Sequence, residues 1–234
     1  MRVDNVSDSS QIFGMQSAPT QSGFIPAFPV LGLYDPVIRL LTRERAWRAA
    51  LRGLLAPHAR GTIVDAGCGT GSLLAELGRD FPGARLTGID PDPRILTRAA
   101  AKLHGAGVPA TLAQGYLRDL ADLLDGREVH AIVSSLVFHQ VPMAEKRAGL
   151  AAMHRALAPG GLLLIADYGA QRSLAMRTAF RLVQAVDGIA TTRPNADGVL
   201  PGLIRAAGFA DIAEPHCFAT ATGSISIYRA IRPA

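Results

Sequence analysis

Cysteine is scarce in this chain: Cys68 and Cys217 are the only two in 234 residues. That is too few for a disulfide framework or a cysteine-built zinc site, and a reducing, cytoplasmic setting is expected. Lysine is equally scarce. Lys102 and Lys146 leave 24 − 2 = 22 arginines to carry the basic charge, a skew that weakens the net +5 and the pI of 9.8 as signs of nucleic-acid binding. No basic run is interleaved with aromatics and no RNA-binding module is appended, so nucleic acid is not the expected partner. No apolar run approaches the ~18 residues of a membrane span. The first thirty residues lack the basic start and apolar stretch of a secretory signal. No internal repeat is visible. What is abundant is apolar: 49% of residues are hydrophobic and 18% charged, enough to bury one large core, with length to spare over the roughly 150 residues of an ordinary domain.

Residues 1–33 carry Ser, Gln, Asn, Gly and the prolines Pro19, Pro26 and Pro29, with Phe24 and Phe28 scattered among them. This composition makes no periodic element. It reads as a mobile arm or lid ahead of one domain over 34–234. From Pro36 to Leu55, Val37, Leu40, Leu41, Trp47, Leu51, Leu54 and Leu55 share one helical face, with Pro36 in the first turn. Arg45, Arg48 and Arg52 flank that stripe on one side, and Arg39 and Arg43 on the other, as the solvated rim of a packed helix.

Beyond it the chain alternates. Strand-like runs at 62–66, 85–89, 110–113, 129–135 and 162–167 are separated by helix-period segments at 72–81, 93–103, 118–124, 143–157 and 171–186. This is the rhythm of a doubly wound parallel sheet. A loop is expected at 191–198, then a short helix to Ala207. Two strands, 212–218 and 224–231, follow without a helix between them and so pair antiparallel. The expected fold is a three-layer α/β sandwich around a mainly parallel seven-stranded sheet with an antiparallel last strand.

The strongest motif is Ile63-Val64-Asp65-Ala66-Gly67-Cys68-Gly69-Thr70-Gly71-Ser72, a strand entering glycines and then a helix. Alternate glycines let the backbone turn sharply and approach a ligand, while the helix start presents free N–H groups. The spacing is G-x-G-x-G, with Gly71 one residue too early for the dinucleotide fingerprint. Asp65 at the strand end would gain nothing beside a phosphate and suits a cationic ligand group.

This run resembles that of the class I S-adenosylmethionine (SAM) dependent methyltransferases, and the similarity extends over residues 34–231. The resemblance implies a Rossmann-like methyltransferase fold in which Gly67, Cys68, Gly69 and Gly71 line the methionine part of SAM and Asp65 helps to hold its ammonium. Cys68 itself reads as a small packing residue. Asp90, 25 residues after Asp65 and followed by Pro91, is the expected partner of the ribose hydroxyls; Asp92, ahead of Pro93, is the better helix N-cap. At the third strand end, where the family usually places an acid for the adenine amino group, this chain reads Ala113-Gln114-Gly115-Tyr116-Leu117-Arg118-Asp119. Tyr116 or Leu117 would line the adenine pocket, and Gln114 or Asp119 would reach its edge.

The segment from Ile132 through Ser134 to His139 and Pro142 is similar to that of small-molecule methyltransferases of the ubiquinone and menaquinone type. So is the turn Pro159-Gly160-Gly161, which places Asp167 and Tyr168 at the methyl-transfer region. On this resemblance Ser134 joins the cofactor site, and Tyr34, His139 and Tyr168 face the acceptor. His139 is the candidate general base, its ordinary pKa lying near working pH, with a hydrogen-bonded structural role as its alternative. No Asn/Asp-Pro-Pro-Tyr/Phe run stands at the end of strand four, which disfavours the amino-group DNA and protein-glutamine types, and only Asp167 could serve a metal, so none is expected. The expected reaction is methyl transfer to an oxygen, nitrogen or activated carbon of a small molecule. The alternatives are an RNA methyltransferase and a SAM-binding protein with a regulatory or non-methyl-transfer role. The oligomeric state stays open between monomer and homodimer.

Overall fold

The computed structural model describes residues 41–124 and 126–234; the expected arm, Tyr34 and the start of the first expected helix lie outside them. Helix α1 (Glu44–Leu55) leads into β1 (Thr62–Ala66), α2 (Ser72–Asp80), β2 (Arg85–Asp90), α3 (Pro93–Gly105) and β3 (Thr111–Gln114). A 3-10 turn and α4 (Leu120–Leu124) then precede β4 (Val129–Ser135), α5 (Met143–Ala156) and β5 (Leu157–Tyr168). The chain closes with α6 (Leu174–Asp187), α7 (Ile189–Ala196), α8 (Leu200–Ala206), β6 (Ala210–Thr220) and β7 (Gly223–Ile231). The seven strands lie in the order β3-β2-β1-β4-β5-β7-β6. The first five are parallel, and β7 runs antiparallel to both β5 and β6.

Alternation along the strands sorts side chains to two cores. Ile63, Ala131, Val133, Leu162 and Leu164 face one layer, where Trp47, Leu51 and Leu55 of α1 meet Leu73, Leu74 and Leu77 of α2. Val64, Ile132, Leu163 and Ile165 face the other, against Leu150 and Met153 of α5 and Leu200, Leu203 and Ile204 of α8. Every residue of β1 is therefore buried, as a strand covered on both faces must be. Two of the arginines beside the α1 stripe are spent within the fold. Arg48 and Arg52 reach the two carboxylate oxygens of Glu76 at 3.0 and 2.9 Å, and Arg52 also meets Asp80 at 3.1 Å. Among the described residues no helix is long and apolar enough to cross a membrane.

Two local expectations are corrected. Residues 191–198, rich in Thr, Pro and Asn, are helical as far as Ala196, with Pro194 inside the helix. The Thr191 and Thr192 hydroxyls bond back to the carbonyls of Asp187 and Gly188 at 2.7 and 2.6 Å. The Asn195 amide donates to the Tyr168 carbonyl at 3.1 Å. Tertiary contacts thus override weak local propensity. The other correction is at 171–173, which is not helical, because Ser173 is the N-cap and accepts from the Met176 N–H.

Gln171 is fully buried and joins the exit of β5 to β7. Its amide donates to the carbonyls of Gly169 at 2.7 Å and Ser224 at 3.1 Å, and its oxygen accepts from the Ser224 N–H at 2.8 Å. Gln171→Ala strands the Gly169 carbonyl and the Ser224 N–H, while the Ser224 carbonyl keeps the Gly169 N–H at 3.2 Å, so it should lower unfolding stability by about 2–3 kcal/mol, read as a shifted denaturant midpoint at unchanged slope. An unshifted midpoint would mean that water replaces the side chain.

Candidate active site

The carboxyl ends of β1, β2, β4 and β5 meet at one edge of the sheet. There the glycine turn is tied to β2 by Gly67 and Cys68, whose N–H groups both donate to the Ile89 carbonyl at 2.8 and 3.0 Å. Gly67 has φ +81°, and a Cβ on it would lie 2.3 Å from Val137 Cγ2, so only glycine fits. Gly69 has φ +52° and an open side, with no atom within 4 Å of a Cβ placed there. Gly71, at φ +72°, caps α2.

Asp65 lies at the floor of this turn. Its carboxylate is buried, and Oδ1 has no hydrogen-bond partner among the described residues. Burial raises its pKa to about 7; Arg48 pulls it down and Asp90 adds to the rise. Asp90 is better satisfied: Oδ2 accepts from the Gly69 N–H and Oδ1 from the Asp92 N–H, each at 3.0 Å. Burial still raises its pKa against those two bonds. Asp92 caps α3, accepting from the Arg94 N–H at 2.8 Å. The Cys68 thiol, driven upward by burial and by both aspartates, stays protonated, as fits a packing residue.

The remaining expected cofactor residues are placed unevenly. The Ser134 hydroxyl donates to the Ala66 carbonyl at 2.7 Å, clamping β4 to β1 under the turn. Leu117 turns into the core against Gly149. The Tyr116 ring is exposed, with the Arg118 guanidinium 4.4 Å from its centre. Gln114 donates to the Pro91 carbonyl and Asp119 accepts from the Tyr116 N–H, each at 3.2 Å. Sequence reasoning missed Lys102, whose ammonium donates to the Thr70 and Ser72 hydroxyls at 2.8 and 2.6 Å beside the turn. Its rarity in an arginine-rich chain was the available signal.

A second cluster lies where β4 and β5 end. Leu136 leaves β4 at φ +56°, a strained conformation for leucine. Asp167, fully buried, accepts from the Phe138 N–H at 2.6 Å and the Tyr168 N–H at 2.7 Å, and holds His139 Nδ1 at 2.8 Å. His139 Nε2 lies 3.4 Å from Asp187 Oδ2 at the end of α6. Burial lowers the imidazole pKa, but the two carboxylates outweigh it and push it up to about 9. Both ring nitrogens thus face carboxylates. Tyr168 sits edge-on to His139, and its hydroxyl meets Thr222 Oγ1 at 2.8 Å. Among the described residues no three His, Cys, Asp or Glu side chains gather as metal ligands.

The buried Asp65 carboxylate makes a stability prediction. Its pKa is raised in the folded chain, so the folded state resists its ionisation, and the resulting destabilisation grows as pH rises from about 4 to about 7. Asp65→Asn should therefore be more stable than the native chain at pH 8, and the gap should close below pH 4. Equal melting temperatures at pH 8 would show that Asp65 is not under strain.

A family model described as a methyltransferase domain matches residues 63–161. The ribosomal RNA small subunit methyltransferase C of Pseudomonas aeruginosa is 34% identical over 155 residues, covering 58% of this chain and 45% of that protein. A ubiquinone biosynthesis O-methyltransferase of a Methylobacterium species is 33% identical over 139 residues, covering 58% and 53%. The chain thus spans about half the length of these curated relatives. In fold it is similar to a magnesium protoporphyrin IX methyltransferase from Synechocystis solved with S-adenosylhomocysteine bound, at a TM-score of 0.63 and 20% identity over 81% of this chain and 83% of that one. The methyltransferase-domain match, the glycine turn, the strand-end aspartates and this sheet order make the chain similar to the class I S-adenosylmethionine-dependent methyltransferases.

Proposed function

We propose that this chain transfers the methyl group of S-adenosylmethionine to an oxygen, nitrogen or activated carbon of a small molecule. The observation that carries this reading is the buried, unpartnered Asp65 oxygen beside a glycine turn with an open side at Gly69. A buried carboxylate without a partner is costly, and an ammonium group relieves that cost. When bound, SAM supplies a methyl carbon on a sulfonium, so that the acceptor's lone pair forms the new bond while the carbon–sulfur bond breaks and its electron pair stays on sulfur.

In this reading the chain's own residues bind and align. Asp65 faces the ammonium, the turn from Gly67 to Gly71 presents its backbone, and Asp90 uses its remaining lone pairs for the ribose hydroxyls. Pro91 and Tyr116 border the adenine, while Cys68, Leu117 and Ser134 support the pocket by packing and by the clamp on Ala66. His139 and Tyr168 border the acceptor, His139 as a held imidazolium that positions rather than deprotonates. An acceptor that must lose a proton gives it to solvent or to a group it brings.

A role for residues 1–33 and Tyr34 in acceptor binding belongs to this proposal, and these residues lie outside the described ones. Support for this comes from where the described chain begins: the Leu41 carbonyl accepts from the Ala221 N–H at 3.1 Å. Leu41, the first described residue, thus lies near Thr222, the partner of Tyr168. The exposed free thiol of Cys217 suits a reducing, cytoplasmic setting. The relative that acts on ribosomal RNA makes RNA methylation the second reading; against it, Arg48 and Arg52 are consumed by acidic partners.

Methyl-labelled SAM incubated with a host extract decides between acceptors: label in a small molecule supports the proposal, and label in RNA replaces it. Asp90→Ala should weaken SAM binding by about 1.5–3 kcal/mol, measured by calorimetry on protein shown to be folded. Unchanged affinity would remove Asp90 from the ribose site. Deleting residues 1–30 should leave SAM affinity intact and lower turnover, since a cover positions the acceptor and excludes water; full turnover would make the arm dispensable.

A further inference from the structure

Helices α6 and α7 are fastened to the carboxyl edge of the sheet largely through polar groups. The outward side of this segment carries Leu174, Leu182 and Ile189, all exposed, while only Phe180 and Val183 of α6 are buried. At the inward end, Asp187 Oδ2 meets His139 Nε2 at 3.4 Å. Lys146 of α5, fully buried, donates to the carbonyls of Phe138 and Thr191. The Asn195 amide donates to the Tyr168 carbonyl, and the Gln171 N–H to the Ala196 carbonyl at 2.9 Å. Gly188, at φ +86°, breaks the helix immediately after Asp187, so the α6–α7 joint has its flexible residue beside its charged contact.

We infer that Asp187 is a positioning residue, which closes a carboxylate–imidazolium–carboxylate bridge from Asp167 through His139 and so fixes the α6–α7 joint over the ends of β4 and β5. That this joint walls the acceptor side rests on the function proposed above; the bridge itself does not. Every charged group facing the imidazole supports or modulates it. Asp167 comes from β5, Asp187 from α6 and the Lys146 ammonium from α5, while Tyr168 presents its ring edge. Tyr228 of β7 lies near Asp167, its hydroxyl pushed up to about 12 by burial. Arg193 of α7 is exposed and pairs with Asp197 instead.

The sign of the pH effect follows. His139 has a folded pKa above its unfolded value, so the bridge stabilises the joint fully below about pH 6.5 and is lost as pH rises through about 9. Burial lowers the Lys146 pKa to about 8, so its own contribution runs in the opposite sense. It is common to the native chain and to any Asp187 variant, so a comparison between them cancels it.

Hydrogen–deuterium exchange on the full chain tests this. In Asp187→Asn at pH 7, amides of 174–196 should exchange about tenfold faster, the equivalent of losing one charge-assisted bond, with β1 and β4 unchanged and Asp187→Glu restoring part of the protection. The ratio of protection of 174–196 between the native chain and Asp187→Asn should fall progressively between about pH 6.5 and pH 9. Where turnover is measurable, Asp187→Asn should raise the acceptor KM and leave the SAM KM within about twofold. Native-like exchange in Asp187→Asn, faster exchange spread through β1 and β4, or a native-to-variant ratio that does not change with pH would each overturn the bridge. Altered exchange without any methyl transfer by the native chain would leave the bridge standing and defeat the functional proposal instead.

Discussion

A parallel sheet covered on both faces has nowhere to put charge except its ends, and this constraint organises the molecule. Asp65, Asp90 and Asp167 end or nearly end β1, β2 and β5 on one edge, each largely removed from water. They differ in how far the protein satisfies them. Asp167 is fully engaged by two N–H groups and an imidazole. Asp90 is half engaged by two backbone donors, and Asp65 keeps an oxygen with no partner among the described residues. An unsatisfied buried acceptor is costly, whereas a satisfied one rigidifies. The gradient from Asp167 to Asp65 therefore separates the part of the edge that is architecture from the part arranged for something to arrive.

Much of this was legible in the sequence because it is local. The βαβ rhythm, the strand–glycine–helix run at 63–72, the Asp92 cap and the closing antiparallel pair each depend on residues within a few positions of one another. What was not legible depends on distant partners. Helix α7 looks like a loop until Asn195 is seen on the Tyr168 carbonyl and the two threonines on the preceding turn. His139 reads in sequence as a base or as a structural residue, and the carboxylates of Asp167 and Asp187 at its two nitrogens are visible only in the fold. The resemblance puts Tyr116 or Leu117 beside adenine; that Gly149 leaves room for the Leu117 side chain is visible only in the fold.

The pair Ser134 and Gly67 shows how the two kinds of information meet. A glycine before a turn is readable; that Val137 closes over it is not. The Val137 contact and the Ser134 clamp both bring β4 to the glycine turn. The glycine turn and the His139 end of the sheet are thus joined through β4 by packed atoms rather than through solvent.

Lysine usage carries a practical consequence. In a chain whose basic side chains are otherwise all arginine, Lys146 is sealed among carbonyls and Lys102 holds two hydroxyls at the start of α2. Neither place suits a planar guanidinium, which needs a wider, flatter set of acceptors. Amine-selective chemistry on the folded protein therefore has one side chain to find, and that side chain rests against the glycine turn. A single acylation rate at Lys102 becomes an optical or mass readout of what occupies the turn, with no engineered label.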